Sequence, residues 1–244
     1  MTPEMIGGDA PVLLLCDHAS NHVPADIHLG IAPDLLDRHI GVDIGAGPLT
    51  RALAAALRAP AVLGTVSRLV IDLHREPDHP GLIPIESDGH PIPGNRDADR
   101  AARIARFYAP YHRSIHDVVS RLKPCLIVAI HSFTPRLESA EAGNDRPWQV
   151  GILYNRDRRA AVPAIASLAG RTALPVGDNQ PYSGRQLNLT LNRHAEACGI
   201  PSFSIEVRND AIADGDGVAA WTTIIAETIA DVRNSLAQRV PVAT

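Results

Sequence analysis

The chain has 244 residues and a mass of 26.1 kDa, room for one large domain and too little for two. An apolar share of 45% and a charged share of 20% are those of a globular protein and exclude extensive disorder. A net charge of −4 with only 4% aromatic residues excludes a basic nucleic-acid footprint and a base-stacking platform.

No apolar run approaches the roughly 20 residues a membrane-spanning helix needs. The opening MTPEMIGGDAP has no basic stretch followed by an apolar one, so no secretory leader is expected and the expected compartment is the cytoplasm. Cys16, Cys125 and Cys198 are odd in number and widely spaced, with no CxxC pattern. Cys16 and Cys125 flank apolar runs and are expected to be buried as small hydrophobes. Lys123 is the only lysine, which leaves a single candidate for any lysine chemistry.

In chain order, Pro11 to Cys16 (PVLLLC) is an apolar run short enough for a strand buried on both faces. Residues 17–36 read as loop, with Pro24 and Gly30. Residues 46–58 are rich in Ala and Leu with helical periodicity. Ala61–Val66 and Leu69–Leu73 read as two strands. Residues 76–96 hold five prolines and several glycines and form a long loop, a length that usually signals function. A helix is expected over 97–122, a strand over 126–130, a polar loop over 134–147, a strand over 149–154 and a helix over 158–170. Residues 176–190 read as loop and 191–198 as a short helix. SFSIEV, residues 202–207, alternates like a strand, and 218–237 makes a final amphipathic helix. Strands alternating with helices predict a single-domain three-layer α/β/α fold with a mixed, largely parallel sheet, its core spanning about residues 10–238.

The polar residues fall at informative places. Ligands of open α/β sheets bind beyond the carboxyl ends of the strands. VLLLC runs into Asp17-His18, LVIDL into His74-Arg75, LIVAI into His131-Ser132, and SFSI into Glu206 with Arg208 beyond it. Parallel strands would gather these groups at one rim. A catalytic zinc takes three ligands from His and Asp/Glu and keeps one position open. His18 and His131 are ligands of the right type. Asp43 is the candidate third, with Asp17 and His22 as competitors. Taken alone, an aspartate placed like Asp43 is more often a helix N-cap. His112 and His116 share a helix face but lack the glutamate of an HExxH motif, so they read as a plain helix face.

Glu206 sits inside an apolar strand, where a carboxylate is costly unless paired or functional. It is either the ion-pair partner of Arg208, two residues away on the same face, or of another arginine, or else a general base or acid beside a metal-bound water. Arg68 and Arg75 suggest an anionic substrate, because guanidinium forks match carboxylates; salt bridges to Asp72 or Glu76 are the alternative. Asn95, in the Pro-Gly-Asn segment of the long loop, and Arg208 complete the candidate substrate contacts. A G-x-S-x-G nucleophile elbow and a phosphate-binding glycine loop are both missing.

Together, CDHASNHVP (16–24), HIGVDIGA (39–46), VSRLVIDLHREP (66–77), PIPGN (91–95), APYH (109–112), AIHSFTP (129–135), RPWQVGIL (146–153), DNQPYSG (178–184) and SIEVRND (204–210) resemble the N-formylglutamate amidohydrolase family. The resemblance runs in order over about residues 10–215. It implies a zinc-dependent hydrolase with a fold similar to zinc carboxypeptidases. It gives His18 and His131 the two histidine ligand roles, and Asp43 the acidic one by its place in the DIGA block. It makes Glu206 the carboxylate that activates water. It gives Arg68 and Arg75 the substrate carboxylate. Two departures stand out: Asn21 occupies the glutamate position of a His-x-x-Glu pair, and His74 stands where the family more often has Asn.

The expected activity is hydrolysis of the amide of an N-acyl amino acid, N-formyl-L-glutamate or a close analogue, in amino-acid metabolism such as histidine degradation. Its partner is then a small anionic substrate rather than nucleic acid or membrane. Assembly as a homo-oligomer is compatible with the sequence. The alternatives are a zinc hydrolase for another acyl group or a peptide-like substrate, and a non-catalytic small-molecule-binding protein on the same scaffold. Residues 78–96 and 134–147 are the candidate lids.

Overall fold

A computed structural model describes residues 1–141, 145–173 and 175–238. Its main sheet has seven strands: β1 (Glu4–Ile6), β2 (Val12–Cys16), β3 (Ala61–Leu63), β6 (Leu126–Phe133), β7 (Val150–Leu153), β8 (Val176–Asp178) and β9 (Ser202–Arg208). Their spatial order is β1-β3-β2-β6-β9-β7-β8. β3, β2, β6 and β9 run parallel, β1 is antiparallel to β3, β7 is antiparallel to β9, and β8 is parallel to β7. The sheet is therefore mixed, with a parallel centre. A separate two-stranded ribbon, β4 (Glu86–Ser87) with β5 (His90–Pro91), lies within the proline-rich loop.

Period-two alternation sends each central strand into two cores. Val12, Leu14 and Cys16 of β2 join one apolar cluster, while Leu13 and Leu15 join the other. The first cluster packs under α1 (Ala46–Leu57), α4 (Ala161–Ala169) and α6 (Gly215–Gln238). In α6, Trp221, Ile225, Ile229 and Val232 recur every three or four residues and are buried. The second cluster packs under α3 (Ala109–Leu122), α5 (Leu189–His194) and the segment 66–92. The short α2 (Arg100–Arg103), capped by the Asp99 carboxylate on Ala102 N–H, leads into α3 through one widened turn over Ile104–Tyr108. These helices and segments cover both faces of the sheet, as expected of a three-layer α/β/α arrangement.

Several readings of the sequence need correction. Leu69–Leu73 is not a strand but a run of buried turns. Its backbone bonds locally, Val70 N–H to Ser67 O, and to Leu82 O through Asp72 N–H. Leu69, Val70, Ile71 and Leu73 are apolar because they fill the second core, and an apolar run alone does not separate that case from a buried strand. The preceding strand is also shorter than expected, ending at Leu63. β8 emerges from a stretch read as loop, and β1 from one given no structure. Both are three-residue edge strands, too short to show alternation. Cys125 is exposed, not buried: it stands one residue before β6, with its thiol on Pro11 O. Cys16 is buried as expected.

Candidate active site

The parallel centre sets the site. β6 and β9 pair in register with His131 opposite Glu206. In β9, Phe203, Ile205 and Val207 enter the first core, so Ser202, Ser204 and Glu206 face the other way. In β6, Val128 and Ile130 enter the first core, so His131 shares the face of Glu206. β2 pairs with β6 through Leu15 and Ala129, which brings Asp17 level with His131. Asp43 arrives from the loop before α1. Its N–H donates to His18 O (3.1 Å). The chain then turns at Gly45, whose φ of 79° and contact with Ile212 O leave no space for a Cβ.

The result is a dense polar network. Asp43 Oδ1 accepts from Arg68 Nη1 (2.9 Å). Asp43 Oδ2 lies 3.3 Å from His18 Nδ1 and 2.9 Å from His131 Nδ1. One ligand atom from each of His18, Asp43 and His131 lies within 4.8 Å of the others, and all three residues are buried. The remaining ring nitrogens face carboxylates: His18 Nε2 is 2.7 Å from Asp72 Oδ1, and His131 Nε2 is 3.3 Å from Asp17 Oδ2. This is the usual arrangement in which a carboxylate orients a ligating imidazole through its far nitrogen. Asp17 in turn accepts from Thr190 Oγ1 (2.8 Å) and faces His74 Nδ1 (3.1 Å). Asp17, His74 and His131 form a second set within the same distance limit. Asp17 does not reach the cavity, whereas His18, Asp43 and His131 all line it.

The residues fit a metal on a further ground. The buried Glu206 Oε2 has no hydrogen-bond partner among the described residues, and His131 Nε2 has only the long 3.3 Å approach of Asp17 Oδ2. A buried orphan is rare unless the group has another role. Burial, and next the Asp43 carboxylate, push the Glu206 carboxyl up to about 7 against the pull of His131. Burial also works to raise Asp17, Asp43 and Asp72, but histidine and arginine neighbours win and hold all three below the usual carboxylate range. The same pairing raises His18 and His131 despite their burial. Four buried carboxyls around two imidazoles and Arg68 make a site suited to a cation.

The cavity has a volume of about 340 Å³. Arg68 and Arg75 line it, as the sequence suggested. Arg68 is engaged with Asp43 and with Asp72 (3.3 Å), and Arg75 Nε is 3.5 Å from Asp72. The structure does not bring the other two candidates there. The Asn95 amide donates to Leu69 O and Pro84 O and accepts from Arg103, so it braces the long loop. Arg208 turns to Asp210 (2.8 Å) instead of pairing with Glu206. Sequence reasoning missed Asp72 and Asp17 as orienting groups, although both stand within two residues of a site histidine. It also missed Thr190, which comes from α5 with no local signal. The two candidate lids do meet over the cavity: Asp88 accepts from Ser139 N–H (3.0 Å) and Glu138 N–H (2.8 Å), and faces His39 Nε2 (2.7 Å). Residues 142–144 of the second lid lie outside the described residues.

The parallel strands end close to His18 and His131, with Asp43 from the loop before α1 against both and Glu206 beside them, an arrangement of the kind that hydrolases use. The comparisons name the kind. A profile of the N-formylglutamate amidohydrolase family matches residues 10–213, and the chain belongs to that family. It is similar to the gene product Atu2144 from Agrobacterium tumefaciens, at 32% identity and a TM-score of 0.90 over 97% of this chain and 96% of that one. It shares the fold of an N-formylglutamate amidohydrolase from Ralstonia eutropha JMP134, at 18% identity and a TM-score of 0.63 over 96% and 97% of the two chains. No curated protein matches the chain. No helix among the described residues is long and apolar enough to cross a membrane.

Proposed function

We propose that the chain is a zinc-dependent amidohydrolase that cleaves the amide of an N-acyl amino acid, the class to which N-formyl-L-glutamate belongs, giving the free acid and the amino acid. The observation that carries this reading is the Glu206 carboxyl, buried with no hydrogen-bond partner for Oε2 among the described residues, on the cavity wall it shares with His18, Asp43 and His131. Those three residues would hold the ion. A bound zinc supplies Lewis acidity toward an amide carbonyl and makes water acidic enough to ionise near neutral pH.

The chain's own residues do the rest. Glu206 takes a proton from the attacking water as its oxygen bonds to the acyl carbon. It returns that proton to the amine nitrogen as the C–N bond breaks, so one carboxyl serves as base and then as acid. A carboxyl held near 7 suits both roles, since each needs a different protonation state. Arg75 fixes the substrate carboxylate, and that orientation places the amide against Glu206. Asp72 and Asp17 hold His18 and His131 in one ring orientation each. Replacing Glu206 with Gln is expected to keep fold and metal and to lower kcat by about a thousandfold, within the span of general acid–base contributions. A rate within a few fold of wild type would remove Glu206 from the chemistry.

A further inference from the structure

The charges lining the cavity limit what it accepts. Asp43, Asp72, Asp88 and Glu206 contribute four carboxyls, and Arg68 and Arg75 two guanidinium groups. Arg68 is spent: Nη1 is given to Asp43 and Nη2 to Asp72. Arg75 meets Asp72 only through Nε, so both its Nη groups are without partners among the described residues. The lining histidines are also committed. His39 faces Asp88 (2.7 Å), and His74 faces Asp17 and Thr190. Arg146 stops at the rim, where Nη1 donates to Thr134 O (3.2 Å) and Tyr182 Oη (2.9 Å). One cationic fork is therefore open to a ligand.

The rest of the wall is neutral. Among its hydroxyls, Ser132, Thr134 and Ser139 donate to Ile44 O, Arg136 O and Asp88, and Ser87 and Tyr182 complete the polar part. Phe133, Leu137, Leu153, Leu187 and Ile40 line the same cavity. Leu137 and Leu187 are only half-buried, so they present apolar surface to whatever enters. A ligand with two carboxylates would set one on Arg75 and leave the other without a cationic partner, among leucines and neutral hydroxyls or beside Asp88. A carboxylate moved from water to such a place gains no counter-charge and is disfavoured.

We propose that the cavity takes an N-acyl amino acid with one carboxylate, held by Arg75, and an apolar side chain packed on Leu137, Leu153 and Leu187, in preference to an N-acyl dicarboxylic amino acid. This rests on the amidohydrolase reading above and narrows its substrate.

The test is a panel of N-formyl and N-acetyl derivatives of L-leucine, L-phenylalanine, glycine and L-glutamate with the zinc-loaded protein. Two acyl series keep a wrong acyl group from hiding the side-chain preference. The expected result is a kcat/KM for leucine or phenylalanine at least about tenfold above that for glutamate, the scale a mismatched pocket imposes. Equal or better use of glutamate overturns the proposal. Leu187→Arg is expected to shift the ratio toward glutamate, and an unchanged ratio removes Leu187 from the side-chain site.

Should nothing in the panel be hydrolysed, the amidohydrolase reading fails by itself. Calorimetric binding of N-formyl-L-leucine and N-formyl-L-glutamate to the metal-free protein then decides the charge argument separately. Tighter leucine upholds it; tighter glutamate, or binding of neither, overturns it.

Discussion

Two buried histidine pairs in this protein have opposite fates. His18 and His131 stand at the ends of β2 and β6 among Asp17, Asp43, Asp72 and Glu206, and their ring pKa values are raised. His112 of α3 and His194 of α5 stand elsewhere, with Nδ1 of the first 2.9 Å from Nε2 of the second. Burial, the first cause for each, lowers these to about 3 and about 4. Arg193 adds to the lowering in both, and Asp17 is too weak a counterweight. Residue type and burial are shared, so the carboxylates decide the charge. The second pair also has fixed tautomers. His112 Nε2–H donates to Leu73 O (3.0 Å), so its Nδ1 must accept from His194 Nε2–H when both rings are neutral. A pair committed to neutral hydrogen bonds braces α3 against α5. A pair ringed by carboxylates is available to a cation.

The sharpest way to break this contrast is metal content. Protein purified without a histidine tag is expected to carry about one zinc per chain, since the two donor sets share His131 and only His18, Asp43 and His131 all line the cavity. The His18→Ala/His131→Ala variant should carry none, by mass spectrometry, and show no turnover. His112→Gln should keep its full metal content; loss of zinc there would place the second pair in the metal site after all. A smaller effect is expected from Asp72→Asn, which removes the charge orienting His18. Competition with a chelator should show zinc affinity lower by about tenfold to a hundredfold.

The third prediction concerns acid. The folded-state pKa values of His112 and His194 lie below the ordinary histidine value near 6.5, so the unfolded chain binds more protons between those limits. Their neutral pairing therefore stabilises the fold fully above about pH 6.5 and is lost as pH falls toward 4 and then 3. Urea unfolding of the metal-free protein from pH 7 to pH 4 should show stability falling, and falling less steeply in His112→Gln. Identical slopes would mean that the rings are already charged. The smallest effect is expected at an exposed histidine contact, His90 with Glu138 (2.8 Å). Glu138→Ala should change stability by under about 1 kcal/mol, because solvent screens the pair.

Much of this molecule is legible in its residues, for reasons that differ from place to place. VLLLC, LIVAI and SFSIEV announce buried strands because both faces, or alternate positions, are apolar, and His18, His131 and Glu206, at or near the ends of these runs, reach the cavity. His18, Asp43 and His131 converge as their positions suggested. LVIDL misleads because filling a core and forming a strand demand the same residues. Asn95 and Arg208 mislead in another way. Amides and guanidiniums recognise backbone carbonyls and aspartates as readily as substrates, and only packing tells which partner is in reach. Thr190 carries no signal at all, since its role depends on how α5 docks 173 residues after Asp17.

The pairing of β6 with β9 separates two kinds of evolutionary change. His131 and Glu206 are neighbours because two central strands are in register, so moving one against the other would require refolding the middle of the sheet. Leu137 and Leu187 lie on surface connections that can be lengthened, shortened or substituted without disturbing that register. Descendants of one ancestral chain can then trade diets by changing a few loop positions while inheriting the same reactive core, and a shared family name tells more about the bond that is cut than about the molecule that carries it.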